Sequence, residues 1–486
     1  MQLRFKFVLM AVVGLIQGEL LFAQTAHLDR YIQEGLDKNL GIKQEQSDRT
    51  SVKEALKEAR SRFFPSLWFT SRYTRAAGGR SVTIPVDEIL GPIFQQLALQ
   101  QAQLDQLQGI NTPLDQPPIL EPQTINIMPE KEQETKFQLT QPLFAPALLA
   151  YYKMNKQLLS ESEGSLQSAA LRLIRDIRLA YYTCLQAKEG IAVYEAACKR
   201  SSQQWYAAQK LFANGMLTET SVIGAEAEHA RNETALVKSR LDFTNATKAL
   251  NILVNYPLDK KPELEKPDSV LLQQLLVPVE VSAGYHDSLA KASRPELKQL
   301  AAAIEASRYY LSVEKSGFAP TVAAAFEGGV IGDRFEISDR STFYTASILL
   351  RWELFSGLGR VNKVKKAHAA IEKIKEHTAE VKKKIAFEVD KVLADFTLAQ
   401  RVYRDSELQY RAAQKNYESV FERFEQGLCP ITEMTEAGEL LTKAEAARSC
   451  ARYDLFKQQA HVRYAVADDI DRLPTTIAYS GGTNER

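Results

Sequence analysis

Ser61-Arg-Phe-Phe-Pro65-Ser-Leu67 is answered further along the chain by Ser316-Gly-Phe-Ala-Pro320-Thr-Val322. Proline is excluded from helix interiors and pushes the residue before it toward extended backbone, so each copy marks a helix ending and a strand beginning. Two more pairs fall in step with the first. Gln141-Pro-Leu-Phe144 matches Trp352-Glu-Leu-Phe355, and Leu211-Phe-Ala-Asn-Gly215-Met-Leu-Thr-Glu219 matches Arg423-Phe-Glu-Gln-Gly427-Leu-Cys-Pro-Ile431. The chain is therefore written twice, each half reading helix, strand, loop, strand, long helix, glycine turn, helix. The halves differ mainly in the first strand–strand loop, residues 77–134, which is longer by about 44 residues.

The helices carry a coiled-coil rhythm. Leu166, Ala170, Leu173, Ile177, Ala180, Cys184, Ala187, Ile191, Tyr194 and Cys198 recur at three- and four-residue steps, as do Val364, Ala367, Ile371, Ile374, Thr378, Val381, Ile385, Val392 and Phe396. No proline interrupts Ala147–Asn214, so one helix of roughly 68 residues and ~100 Å is allowed there. Gly359–Gln426 allows a second. Leu28–Arg62, Glu219–Val254, Tyr285–Ser316 and Ile431–Ala467 read as helices of about half that length, two to each long one.

Between helices the pattern changes to period two. Leu67, Phe69, Ser71 and Tyr73 oppose Trp68, Thr70, Arg72 and Thr74. Phe137, Leu139, Gln141 and Leu143 oppose Lys136, Gln138, Thr140 and Pro142. Tyr344, Ala346, Ile348, Leu350 and Trp352 oppose Phe343, Thr345, Ser347, Leu349 and Arg351. Strands are expected at about 66–76, 135–144, 321–329 and 342–354, with one greasy and one more polar face. That pattern suits a transmembrane β-barrel as well as a half-buried soluble sheet. Four strands cannot close a membrane barrel, because open edges are not tolerated in lipid; three chains would give 12.

Composition sets outer bounds. The 486 residues carry a net charge of +1, which gives no sign of a nucleic-acid surface. Residues 1–23 read as a signal peptide: Arg4 and Lys6, an apolar run Phe7–Ile16, and Leu21-Phe22-Ala23 as a cleavage site. That run is below the ~20 residues of a membrane span, and no later stretch reaches it. Of the four cysteines, Cys184 and Cys198 would stand about 21 Å apart on one helix, too far to bond. All four, with Cys429 and Cys450, read as structural thiols. The histidines are dispersed, Gly357-Leu-Gly359 lacks a third glycine, and no P-loop, G-x-S-x-G or H-E-x-x-H occurs. No metal, cofactor or catalytic residue is expected. The Lys-rich stretch Arg360–Lys384, interleaved with Glu372, Glu376 and Glu380, reads as a solvated helix face.

The tandem halves, the F-x-P lead-in to each first strand, the helix lengths and the turn at Gly427-Leu428 followed by Ile431-Thr432-Glu433 resemble the TolC-like outer-membrane efflux proteins. The resemblance spans about residues 28–468. It implies a mainly α fold with a small transmembrane β part: a homotrimer with a 12-stranded β-barrel, four strands per chain, and a trimeric α-helical barrel. Residues 24–254 would be the first repeat, 255–283 a linker, 284–468 the second repeat and 469–486 a tail. The segment Pro257–Pro278 and the tail after Asp468 would wrap the helices. Function would be that of an exit duct for an efflux or type I secretion system, reached through a periplasmic adaptor from an inner-membrane pump. The turns Gly215-Met216-Leu217-Thr218 and Gly427-Leu428-Cys429-Pro430 map to the adaptor-contacting tip. Glu433 and Glu436 map to acidic residues lining the aperture, and threefold symmetry would stack them in two rings. The family's tip is latched by charged links; Phe424, Cys429 and Ser221 stand at those positions here and lack the charges. Two rival readings are an exported coiled-coil scaffold or adhesin without a pore, and the periplasmic adaptor itself. Adaptors carry one helical hairpin, whereas this chain has two.

In the long loop, Ile89, Leu90, Ile93, Phe94, Leu97 and Leu104 sit on a helical rhythm after Pro85. A return rich in proline follows, through Pro113, Pro117, Pro118 and Pro122. An apolar stripe on a short helix is expected to dock across the barrel mouth or on a neighbouring protomer; the alternative is that the long loop is a mobile decoration.

Overall fold

The computed structural model describes residues 26–78, 81–107, 121, 123–126, 130–277, 293–474 and 476–477. The signal peptide, the four prolines of the loop's return, the end of the linker with the start of the second repeat, and the last residues of the tail lie outside them. In chain order the elements are α1 Ala26–Lys38, α2 Leu40–Ser61, β1 Ser66–Arg75, β2 Ser81–Ile84, α3 Val86–Leu107, β3 Gln123–Asn126, β4 Lys131–Phe144, α4 Pro146–Ala213, α5 Glu219–Leu253 and α6 Ser269–Leu275. The second half supplies α7 Pro295–Ser316, β5 Thr321–Gly332, β6 Thr342–Arg351, α8 Gly359–Glu425, α9 Ile431–Ala465 and a 3₁₀ turn at Ile470–Arg472. The long helices have 68 and 67 residues. Their partners α5 and α9 have 35 each.

Two compact units result, and they cut across the repeats. The described residues of Met1–Glu58, Ala150–Ser312 and Asn362–Arg486 form a helical unit; Ala59–Leu149 and Val313–Val361 form a second that contains the strands.

In the helical unit the heptad seam is the core. Leu166, Ala170, Leu173, Ile177 and Cys184 of α4 are buried, as are Ala367, Ile371, Ile385 and Phe396 of α8. The first set packs with Leu28, Tyr31 and Leu36 of α1 and with Tyr453, Leu455 and Phe456 of α9, where the Tyr182 and Phe456 rings stack at 5.2 Å. The described linker lies on the same core, with Leu271 and Leu275 buried. The Tyr181 hydroxyl accepts from the Glu265 amide at 2.9 Å, and Gln400 donates to the Leu275 carbonyl at 2.6 Å. At the start of the tail, Leu473 and Ile477 are buried, and Asp469 is gripped by Arg178 at 2.5 and 2.7 Å and by Arg463 at 3.0 Å. All four cysteines are free.

One expected helix is broken. Leu28–Arg62 divides at Asn39, whose side-chain oxygen accepts from the amides of Gly41 and Ile42 at 2.8 and 3.1 Å, capping α2. Its side-chain nitrogen donates to the Leu253 carbonyl at 2.8 Å, an orphan group at the end of α5. An unbroken apolar rhythm hides such a break, because one asparagine serves two helix ends that are distant in sequence.

Four of the strands form an antiparallel sheet in the order β1-β4-β5-β6, and β2 pairs with β3 in a separate two-stranded sheet. β4 starts at Lys131, earlier than its apolar alternation suggests, because its first residues pair with Arg72–Arg75 through polar contacts. β5 runs on to Gly332, and β6 stops at Arg351. Pro142, with no amide to give, falls at a register shift between β4 and β5. The two lead-ins also match in detail: Gln141 donates to the Phe63 carbonyl at 2.9 Å, and Trp352, its counterpart, donates to the Phe318 carbonyl at 3.0 Å.

Candidate functional site: a two-faced sheet and a paired helical tip

Register converts the period-two pattern into faces. Leu67 pairs with Leu139, Phe69 with Phe137, Leu139 with Phe326, and Phe326 with Ala346. One face therefore gathers Leu67, Phe69, Tyr73, Phe137, Phe326, Tyr344, Ile348 and Leu350, and each of these is largely uncovered: Tyr344 is 80% and Ile348 75% exposed. The Phe69 and Phe137 rings meet at 5.1 Å. An apolar surface this continuous does not face water in a stable protein.

The other face gathers the ion-paired charges, while Arg75 and Lys131 stand at the end of the apolar face. Arg72 reaches Glu134 at 2.9 Å, Lys136 reaches Glu134 at 2.9 Å, and Lys136 reaches Glu327 at 3.3 Å. Ser71 and Thr135, the small polar residues of the apolar face, bond each other at 2.8 Å. Both outer strands, β1 and β6, end the sheet with one edge unpaired. Sequence reading put Arg72 and Lys136 on the polar side but missed Glu134 and Glu327 as their partners. Lys131–Glu134 carries no apolar alternation, and only the register shows what lies opposite.

In the helical unit the two glycine turns are near copies. Gly215 and Gly427 take φ of +73° and +71°, a conformation glycine adopts without strain. Met216 donates to the Leu211 carbonyl at 2.8 Å and Gly215 to Phe212 at 2.9 Å. Leu428 donates to Arg423 at 2.8 Å and Gly427 to Phe424 at 2.9 Å. Each long helix thus ends in a Schellman motif that satisfies its last carbonyls. Thr218 and Pro430 then stand at the N-caps of α5 and α9 with extended backbones. A Cβ on Gly427 would meet the Met216 methyl at 2.8 Å, so the turns touch.

Beneath the turns is a small apolar core. Val420, Phe424, Cys429, Met434 and Ala437 are buried, with Leu211, Leu217 and Ile431 packed against them. Cys429 is inside this core, its thiol directed at the Val420 carbonyl at 3.6 Å, and burial raises the thiol's pKa. Met216 and Leu428 are instead on the surface, 57% and 66% exposed. Phe424, fully buried, is also a core residue. Ser221 joins Thr218 and Thr220 in a hydroxyl cluster at 2.8–3.0 Å.

The two mapped carboxylates differ in environment. Glu433 accepts from Arg423 at 2.8 Å, which makes an exposed ion pair across the turn. Glu436 lies in a groove between the first turns of α5 and α9, beside Thr220 and Ser221. Glu439, one turn on, is engaged by Arg231 at 3.1 Å and Lys443 at 3.3 Å. Nothing in the sequence marks Arg423 as the partner of Glu433, since a ten-residue separation across a turn has no sequence signature.

A polar layer follows. Arg200 of α4 reaches Glu445 at 2.8 Å and Thr442 at 3.0 Å on α9, and Ser201 bonds His229 Nδ1 of α5 at 3.1 Å. Burial pushes the nearby Glu228 carboxyl up.

Among the described residues, no helix is long and apolar enough to cross a membrane. Residues 288–467 match the family of outer membrane efflux proteins. No curated protein matches. Among solved structures, CusC aligns with a TM-score of 0.73 at 12% identity, over 92% of this chain and 95% of that one. The Campylobacter jejuni CmeC outer membrane channel aligns at 0.71 and 15%, over 91% and 85%. The outer membrane protein VceC of Vibrio cholerae aligns at 0.70 and 15%, over 91% and 96%. At these identities the likeness is one of fold, and it extends over nearly the whole chain. The fold and the family match in the second half bear out the resemblance to TolC-like efflux channels.

Proposed function

We propose that this chain is the outer-membrane exit duct of a tripartite efflux or type I secretion system, working as a homotrimer. The observation that carries this reading is the sheet. Its apolar face is bare, its ion-paired charges lie on the other face, and two unpaired edges await neighbours. Lipid covers such a face, and a closed ring of copies removes such edges. Twelve strands from three chains close a barrel whose inner wall carries Arg72, Glu134, Lys136 and Glu327. The matched efflux family is one of channels, not enzymes, and its members work with adaptors and inner-membrane pumps.

Outer-membrane placement agrees with the family, and residues 1–23 would be the export signal, cleaved after Ala23. The tip turns Gly215–Thr218 and Gly427–Pro430 would meet the periplasmic adaptor, with Met216 and Leu428 as exposed apolar contacts and Cys429 as support from within. Glu433 and Glu436 would form the acidic rings at the aperture. Because Glu433 is paired to Arg423, most of the uncompensated charge falls on Glu436. Mass measurement in detergent is expected to give trimers, and bilayers to show discrete channels. A monomer or dimer without conductance would end this reading.

A further inference from the structure

α3 interrupts the β1–β4 connection, at the end of the sheet opposite to that where the chain enters from α2 and leaves into α4. Its exposed side chains include Ile93 at 52%, Leu97 at 55%, Leu104 at 54% and Leu107 at 85%. Val86, Leu90, Ile93, Leu97, Gln100, Leu104 and Leu107 follow one another at steps of four and three throughout. This is an unbroken heptad over the whole helix, with leucine at every a position and Val86, Ile93, Gln100 and Leu107 at d. The 3.5-residue period of these positions is that of a supercoiled seam. Leucine at a with the β-branched Val86 and Ile93 at d favours three or four strands over two. Pro92 occupies an outward c position, away from the seam. Ile89 and Phe94, at g and e, widen the apolar strip on both sides. With Pro92 inside it, this 22-residue helix loses a hydrogen bond of its own and depends on packing for its stability.

The placement of α3 matches this pattern. Its N-terminal end follows β2 and so β1, an edge strand at the seam where neighbouring copies meet, while β3, which pairs with β2, leads on to β4. We propose that α3 helices from three copies of this chain form a parallel three-stranded coiled coil on the axis of the assembly, at the outer mouth of the barrel. The inference rests on the trimeric duct reading above. Gln100, the one polar seam residue, would meet its two copies and fix the register.

Cysteine placed at Leu97 tests it, with cysteine at Gln95, an outward f position, as the control. Each is introduced into the full chain and treated on whole cells with an impermeant trifunctional maleimide, alongside the parent with its native thiols. Leu97→Cys is expected to give covalent trimers at least tenfold above Gln95→Cys and the parent. Ile93→Cys and Leu104→Cys repeat the test in case one substitution disturbs assembly. Equal or absent cross-linking at all three seam positions, in protein whose mass in detergent is still trimeric, overturns the coiled coil and leaves the duct standing. A parent that is not trimeric overturns both.

Discussion

The C-terminal ends of α5 and α9 show one backbone solution supported by two chemistries. Asn255 and Ala467 both take positive φ, 54° and 55°, just past their helices. Tyr256 donates back to Asn251 at 2.8 Å and Asp468 to Arg463 at 3.0 Å. In the first half the returning chain is then held by a neutral side chain: Asn251 donates to the carbonyls of Leu258 and Lys260 at 3.1 and 2.8 Å. In the second half it is held by charge, through Asp469 between Arg178 and Arg463, all three buried. The tips repeat the lesson. Their glycine turns are matched in backbone, but one is dressed in hydroxyls and the other in the Arg423–Glu433 pair. Repetition therefore preserved the hydrogen-bonding geometry of the chain reversals, while the side chains that stabilise them diverged.

The largest expected difference lies at the charged cap. Asp469→Asn should destabilise the helical unit by about 3–5 kcal/mol, because it takes one buried carboxylate charge away from both Arg178 and Arg463. Thermal or denaturant melting in detergent reads this. Burial alone would raise the Asp469 pKa, but the bonds from Arg178 and the charges around it win and hold it below the ordinary value. The stability it supplies is thus fully present above the usual aspartate pKa of about 3.9 and is lost as pH falls through the depressed one. The asparagine variant should lack that acid limb. An unchanged acid limb would show that this carboxylate does not set it.

The neutral cap should matter less. Asn251→Ala removes one donor from two part-buried carbonyls and should cost about 0.5–1.5 kcal/mol, measured in the same melts. A loss as large as that of Asp469→Asn would erase the distinction between the two halves.

At the tips, both Gly215→Ala and Gly427→Ala force a Cβ into the left-handed region, at about 1–2 kcal/mol each. Only Gly427 faces a neighbour, so its variant should be the worse of the two and should be relieved in part by Met216→Ala. Equal effects with no rescue would mean that the turns do not lean on each other.

The smallest effect on stability belongs to the tip charges, where an exposed pair contributes at most about 1 kcal/mol. Here the informative measurement is conduction. Changing Glu433 and Glu436 together to Gln should lower cation selectivity and block by multivalent cations in bilayers. Glu436→Gln alone should account for most of the change, since Glu433 already has Arg423. Intact trimers with unaltered selectivity would remove both residues from the aperture.

Replacing Val86–Leu107 by a Gly-Ser linker bears on the other asymmetry between the halves, their unequal strand–strand loops. Trimers should persist and single-channel conductance should rise. Surviving trimers with unchanged conductance would show that α3 does not obstruct the mouth.

What the sequence determined by itself is what depends on local periodicity and on repetition. A 3–4 rhythm without proline specifies a long helix, period two specifies faces, and an F-x-P lead-in specifies where one gives way to the other. Written twice, these gave the tandem architecture, the side of the sheet on which Leu67, Phe69 and Tyr344 stand, and the heptad residues of α4 and α8 that become buried. Only the tertiary structure decided the rest. The break at Asn39, the early start of β4, the burial of Cys429 and Phe424, and the pairing of Arg423 with Glu433 all arise between residues brought together by the fold. So does the clamp on Asp469, whose partner Arg178 lies 291 residues away in the chain. A hydrogen bond or ion pair forms wherever geometry sets donor beside acceptor, and that proximity is fixed by register and packing, not by spacing along the sequence.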